Sequence, residues 1–300
     1  MKENISMIGG DLRILNLAKL LKEEKCVYTY GLENAEDFNN SRIIKCESLK
    51  KCIDASSTII SGVPFSMDDI FVNGTFCKNK IEINQVASLL ENKTFIAGKI
   101  PENFYEMTKN KNVKIIDILK NEEFTILNCI STAEGAIKIA IEETKFTLNG
   151  SNILILGFGR IGKILAKMLE GFGVNLYCEA RKKEDLAWIE AFGYKKVPLQ
   201  NLSQNLGKFD IIFNTIPSII LDEEKLKLLK KDLLIIDLAS SPGGVDRDIS
   251  KKMGIKNIFA TGLPRKNCTW KCSKSYKTSF ERWRNNMKKQ KKIIKFIFWN

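Results

Sequence analysis

Asn152 to Gly162 read Asn-Ile-Leu-Ile-Leu-Gly-Phe-Gly-Arg-Ile-Gly: a short apolar β-type run passing into a Gly-x-Gly-x-x-Gly turn made by Gly157, Phe158, Gly159, Arg160, Ile161 and Gly162. Ile164, Leu165, Met168 and Leu169 follow at helical spacing, so the turn joins a strand to a helix. Each glycine has its own reason: Gly157 for the tight turn, Gly159 so that a pyrophosphate can approach the backbone, Gly162 so that helix and strand pack closely. The phosphates would lie at the positive end of the helix. Dinucleotide binding is the chemistry this spacing serves, against the plainer reading of a Gly-rich turn without a ligand.

The second strand of such a sheet chooses between NAD and NADP, because an acid at its end holds ribose hydroxyls and a cation accepts a 2′-phosphate. Here Glu179-Ala180-Arg181-Lys182-Lys183 offers both, and Arg181 with Lys182 tips the choice to NADP while leaving NAD open. Ligands in open α/β sheets bind at the carboxyl ends of strands. Polar residues expected at such ends are Asn214-Thr215-Ile216-Pro217, Asp237 with Ser240 and the following Ser-Pro-Gly-Gly, and Ser61-Gly62-Val63-Pro64. Turn chemistry alone would use the same residue types.

Histidine is absent, which excludes a Ser-His-Asp triad, a Cys-His pair, His-containing zinc sites and an imidazole acid-base. Proton transfer must use another side chain or the substrate itself. The eight cysteines form no Cys-x-x-Cys and read as reduced, buried thiols of a cytosolic protein. The amino terminus has no signal-peptide pattern and no stretch reaches the ~20 apolar residues of a membrane span, so a soluble protein is expected. The net charge of +13 suggests nucleic acid until it is located: residues 265–300 carry twelve Lys and Arg against Glu281 alone, and the first 264 are nearly neutral.

Around the glycine turn the elements read as α/β. A strand at 5–10, a helix at 12–22 and a strand at 26–30 make a βαβ unit, and strands at 57–64, 94–98 and 113–117 extend it. Residues 1–130 are thus expected to form a small α/β substrate or dimerisation domain; its Gly9-Gly10 lacks the third glycine and is not read as a nucleotide site. Residues 131–149 read as a linker helix with Thr132 as cap and Glu134 in its first turn. Strands at 152–156, 174–178, 209–217, 233–238 and 258–261 make 150–264 a dinucleotide-binding domain. The expectation is two Rossmann-like domains with parallel sheets and a cleft between them.

Together, Asn149-Gly150 before the glycine turn, Phe213-Asn214-Thr215-Ile216-Pro217, Ile236-Asp237-Leu238-Ala239-Ser240-Ser241-Pro242-Gly243-Gly244-Val245-Asp246 and Gly9-Gly10-Asp11-Leu12-Arg13 resemble the A-type subunits of dipicolinate synthase over about residues 5–264. The resemblance implies an NAD(P)-dependent step from a dihydrodipicolinate-type precursor to dipicolinate, the spore calcium chelator, in the cytoplasm of a sporulating mother cell. It also implies an oligomer and, as partner, a B-type flavoprotein of the same synthase. A small dicarboxylate needs cations, hydroxyls or N–H groups; the candidates are Arg13, Ser61, Ser131, Thr132, Thr215 and Ser240. Glu134 either caps its helix or acts as general base, and Asp237 is the other catalytic candidate. Removing a hydride and one proton from a dihydropyridine needs no histidine.

The resemblance stops after Gly262-Leu263-Pro264. Family members continue Gly-Lys-x-Ala-Pro into an amphipathic helix, whereas here Arg265-Lys266-Asn267-Cys268-Thr269-Trp270 follows and three of the four Trp fall in the remaining stretch. Back-translation with allowed codons and a one-base shift restores Gly-Lys-Ile-Ala-Pro, a helix-periodic segment and a stop. The tail is therefore read as a frameshifted segment without a selected fold, as against an arm that binds nucleic acid or a membrane. Two further readings of the whole remain open: a dehydrogenase of another small carboxylate, and a catalytically silent NADP-binding protein that supports its partner.

Overall fold

The computed structural model describes residues 4–22, 26–35, 42–260 and 263. The basic segment 265–300 lies outside the described residues, as do Thr261, Gly262 and Pro264. The chain divides into two compact units, the first ending at Thr125 and the second beginning at Ile126.

The first unit runs β1 (Ile5–Ile8), α1 (Leu12–Leu21), β2 (Val27–Tyr30), β3 (Ile43–Lys45), α2 (Leu49–Asp54), β4 (Thr58–Ser61), α3 (Ile83–Leu89), β5 (Thr94–Ala97), α4 (Glu102–Thr108) and β6 (Lys114–Asp117). Its six strands lie in the order β3-β2-β1-β4-β5-β6, and every pair is parallel. Ile5, Met7, Ile8, Ile59, Ile60, Phe95 and Ile96 are all buried, as befits strands covered on both faces. Phe65, Phe95 and Phe104 meet one another with ring centroids 4.8 to 5.1 Å apart, a cluster that anchors the loop after β4 to the core.

α5 (Glu122–Glu143) leads into the second unit, which continues β7 (Asn152–Leu156), α6 (Arg160–Leu169), β8 (Asn175–Ala180), α7 (Lys183–Ala191), β9 (Lys195–Pro198), α8 (Leu202–Asn205), β10 (Ile211–Asn214), α9 (Glu223–Leu226), β11 (Leu234–Asp237), α10 (Arg247–Lys252) and β12 (Lys256–Phe259). The order is β12-β11-β10-β7-β8-β9, again all parallel. Both sheets thus have the doubly wound 3-2-1-4-5-6 order, with the switch point between β1 and β4 in one and between β7 and β10 in the other.

The linker helix expected over 131–149 runs instead over Glu122–Glu143. Asn121 starts it, its Oδ1 accepting the Phe124 N–H, and Glu122 and Glu123 fill the first turn where acids oppose the helix dipole. Thr132 is therefore a mid-helix residue whose hydroxyl donates back to the Asn128 carbonyl. By length and composition α5 could cross a membrane. Its Ala133, Ala136, Ile137 and Ala140, however, are buried in one core with Ile153, Ile155 and Cys178 of β7 and β8, which makes it a core helix.

Candidate nucleotide site

Three glycines at the end of β7 carry three distinct constraints. Gly157 has φ +89°, and a Cβ there would stand 2.6 Å from Thr215 Oγ1. At Gly162 a Cβ would stand 2.1 Å from the Gly157 carbonyl oxygen, so only glycine lets α6 sit so close on the turn. A Cβ on Gly159 would meet nothing within 4 Å. No protein atom crowds the position, so the turn is open there to a pyrophosphate. Gly159 is also the N-cap of α6 and offers no side-chain acceptor, so the first N–H groups of a ten-residue helix stay available to an anion.

The other members of the turn divide by exposure. Phe158 is buried, its ring packed near Phe192 and Tyr194, so only its main chain faces the turn. Ile161 packs partly buried on the core and Arg160 is exposed. Thr215 joins β10 to the turn: its N–H and its hydroxyl both reach the Leu156 carbonyl at 2.9 Å. Ile216 is half-buried against Gly157, and Pro217 is exposed at the end of the loop.

The sequence leads one to expect Asn214 and Asp237 to face a ligand, and Asp237 to be catalytic as well. Both are fully buried. Asn214 Nδ2 donates to Asp237 Oδ1 at 2.8 Å and to the Ile216 carbonyl at 3.0 Å, while its Oδ1 accepts the Ile216 N–H. Asp237 also accepts the Ala239 N–H at Oδ1 and the Gly244 N–H at Oδ2. These two side chains are spent on folding the loops after β10 and β11 and present no atom to solvent.

Glu179 is the residue missing from the expected set. It pairs in register with Leu156, is 1% exposed, and its Oε2 accepts the Gly157 N–H at 3.1 Å. Burial raises its carboxyl above the ordinary range, while the Gly157 N–H and the Arg181 charge pull the other way. The sequence does carry the signal, an acid on the second strand; what it does not supply is the direction, inward under the turn. Arg181 and Lys182 are exposed immediately after β8.

The substrate candidates are more scattered. Ser240 is exposed in the loop after β11. Glu134 is exposed on α5, in mid-helix and not in a capping turn, whereas Ser131 and Thr132 are buried there. In the first unit Ser61 is buried, its hydroxyl donating to the Ile8 carbonyl at 2.7 Å. Arg13 is held by both oxygens of Asp11 and also donates to the Val63 carbonyl, so its guanidinium ties the end of β1 to the loop after β4. The Gly9-Gly10 turn beside them is filled by the chain itself: Gly10 donates to the Asn73 carbonyl at 2.8 Å and accepts from Thr75 at 2.9 Å. A Cβ on Gly9 would meet Val72 at 2.8 Å.

Two doubly wound sheets, one with an intact glycine cradle, define a two-domain protein with the fold of the nicotinamide-dependent dehydrogenases. Residues 128–262 match the family described as D-isomer specific 2-hydroxyacid dehydrogenase, NAD binding domain, and residues 4–119 match the N-terminal domain family of the dipicolinate synthase A-type subunits. The A-type subunit of dipicolinate synthase from Bacillus subtilis (strain 168) is 31% identical over 266 residues, covering 87% of this chain and 88% of that one. The solved dipicolinate synthase A chain from Bacillus subtilis superposes with a TM-score of 0.82 at 26% identity, covering 97% of this chain and 98% of that one. Its solved counterpart from Bacillus halodurans gives 0.78 at 26%, covering 88% and 91%. The chain belongs to the family of dipicolinate synthase A-type subunits.

Proposed function

We propose that the chain is the NADP-binding component that converts a dihydrodipicolinate-type precursor to dipicolinate during sporulation, in the cytoplasm of the mother cell. The open side of Gly159 carries the reading: there, at the switch point, the protein leaves room for a ligand backbone to touch its own. When bound, the nicotinamide supplies the hydride acceptor. The chain's residues bind it, hold the loops after β10 and β11 in register through Asn214 and Asp237, and take up one proton. Glu134 is the proposed base because, of the two carboxylates expected to be catalytic, it alone is exposed to solvent.

NADP is preferred over NAD in this reading because Glu179 is buried and already bonded to Gly157, whereas Arg181 and Lys182 stand exposed where a 2′-phosphate would lie. Titrating the protein with NADPH and NADH by nucleotide fluorescence tests it. Arg181→Ala should weaken NADPH about tenfold and leave NADH unchanged. Equal loss for both would refute the assignment.

The inward direction of Asp237 favours a second reading, in which the chain binds NADP but only supports its flavoprotein partner. Glu134→Gln separates the two, since a silent partner would lose nothing. The same sheets would also serve another small carboxylate. As for the tail, we hold that residues 265–300 arise from a one-base shift near codon 265; the match to the NAD-binding domain family ends at residue 262. Sequencing the locus in several close relatives tests this, and the same reading frame intact in all of them would contradict it. No nucleic-acid or membrane partner is proposed, and the working form is an oligomer with the B-type flavoprotein of the synthase.

A further inference from the structure

Asp237 stands at the carboxyl end of β11, opposite Phe259 at the end of β12. Gly243 lies between them: a Cβ there would stand 2.6 Å from Asp237 Oδ2 and 3.1 Å from Phe259 Cε2. On the Phe259 ring, 3.4 Å from its centroid, lies the guanidinium carbon of Arg247. Asn214, Asp237 and Phe259 thus end β10, β11 and β12 in turn, with Gly243 fitted tightly beside the last two and Arg247 on the Phe259 ring, all at the carboxyl side of the sheet, the side on which ligands of this fold bind.

Arg247 is exposed, and its hydrogen bond from Nη2 to the Pro242 carbonyl is a long one, 3.5 Å. Among the described residues it has no carboxylate partner, although acids flank it in sequence. Asp246 is committed to capping α10, its Oδ1 accepting the Ile249 N–H, and Asp248 is exposed on the helix. A guanidinium whose carbon rests over an aromatic ring keeps its edge donors available, as bidentate capture of a carboxylate requires. Arg13, the cation expected for that task, is already clamped on Asp11.

Resting on the dicarboxylate reading above, we infer that Arg247 is the anchor for one carboxylate of a planar dicarboxylate substrate, with Phe259 holding the guanidinium and the clamp at Asp237 setting the loop that carries it. The site takes a pyridine-type dicarboxylate in preference to the corresponding monocarboxylate. It distinguishes them by one ion pair at the outer end of the β11–β12 edge.

The test is calorimetric titration of the full chain, with NADP+ present, by pyridine-2,6-dicarboxylate and by pyridine-2-carboxylate. The wild-type chain should bind the dicarboxylate more tightly. Arg247→Ala should lose that advantage, weakening the dicarboxylate about ten- to hundredfold while the monocarboxylate and NADP+ hold their affinities. Arg247→Lys should recover part of the loss, and Phe259→Leu, which keeps the charge and removes the stack, should lose less than Arg247→Ala. An Arg247→Ala chain that still discriminates the two ligands overturns the inference and leaves the dicarboxylate reading intact. A wild-type chain that binds NADP+ but neither acid overturns both. Should Arg247→Ala fail to fold, a Lys variant with unaltered discrimination and a Leu variant with none lost would overturn it equally.

Discussion

Gly157 donates its backbone N–H to the Glu179 carboxylate at 3.1 Å, so the first glycine of the turn is tied from below by a buried acid on the neighbouring strand. Burial raises that carboxyl above its ordinary 4.5. Between about pH 4.5 and the raised value the folded chain holds a proton the unfolded chain has lost, and stability falls as pH rises through that window. Glu179→Gln keeps an acceptor for Gly157 and abolishes the titration. The melting temperature of the variant relative to wild type should therefore climb as pH rises above about 4.5; a difference that is flat or falls with pH would contradict the assignment.

Gly159 and Gly162 should separate stability from binding. Gly159→Ala puts a methyl group into open space, so the melting temperature should hold while nucleotide affinity collapses by a hundredfold or more, on the order of 3 kcal/mol of lost approach to the backbone. Gly162→Ala drives a Cβ to within 2.1 Å of the Gly157 carbonyl and should cost both, with roughly 1–3 kcal/mol of stability lost to overpacking. Thermal melts and NADPH titration of the two variants give the comparison.

Asp237→Ala leaves three donors, on Asn214, Ala239 and Gly244, without their acceptor in a closed core. The expected loss is roughly 2–4 kcal/mol in urea denaturation. Asp237→Asn should recover little, because its amide nitrogen would face a donor. A variant that is fully stable but inactive would restore Asp237 as a reacting group.

In the first unit the equivalent turn is occupied by the chain from Val72 to Thr75, and Phe65 pins that segment to the core. Calorimetry should accordingly give one dinucleotide per chain. Two equivalent sites would refute the plug.

The repeated sheet is legible because its strands are buried on both faces and read as unbroken apolar runs, such as Ile153-Leu154-Ile155-Leu156 and Leu234-Ile235-Ile236. The edge strands β3 and β9 are not: Ile43-Ile44-Lys45 and Lys195-Lys196-Val197-Pro198 are short and carry exposed lysines, as unpaired edges do. The glycine turn can be placed to the residue because backbone geometry dictates those positions. What a polar strand end does cannot be read in the same way, since residue type does not say whether Asp237 faces solvent or its own loop. The start of α5 escapes the sequence because Ser131 and Thr132 carry a cap's chemistry, and only tertiary packing shows them inside a helix.

The most direct test of the central claim supplies freshly formed dihydrodipicolinate and NADP+ to the chain, once with its own carboxyl terminus and once with that of the family restored, alone and with its flavoprotein partner, while the ultraviolet absorbance of dipicolinate is followed. Dipicolinate and NADPH should rise together, faster with NADP+ than with NAD+, and should stop in a Gly159→Ala chain. Dipicolinate forming at the same rate without nicotinamide cofactor, or with Gly159→Ala in place of the wild-type chain, would contradict it.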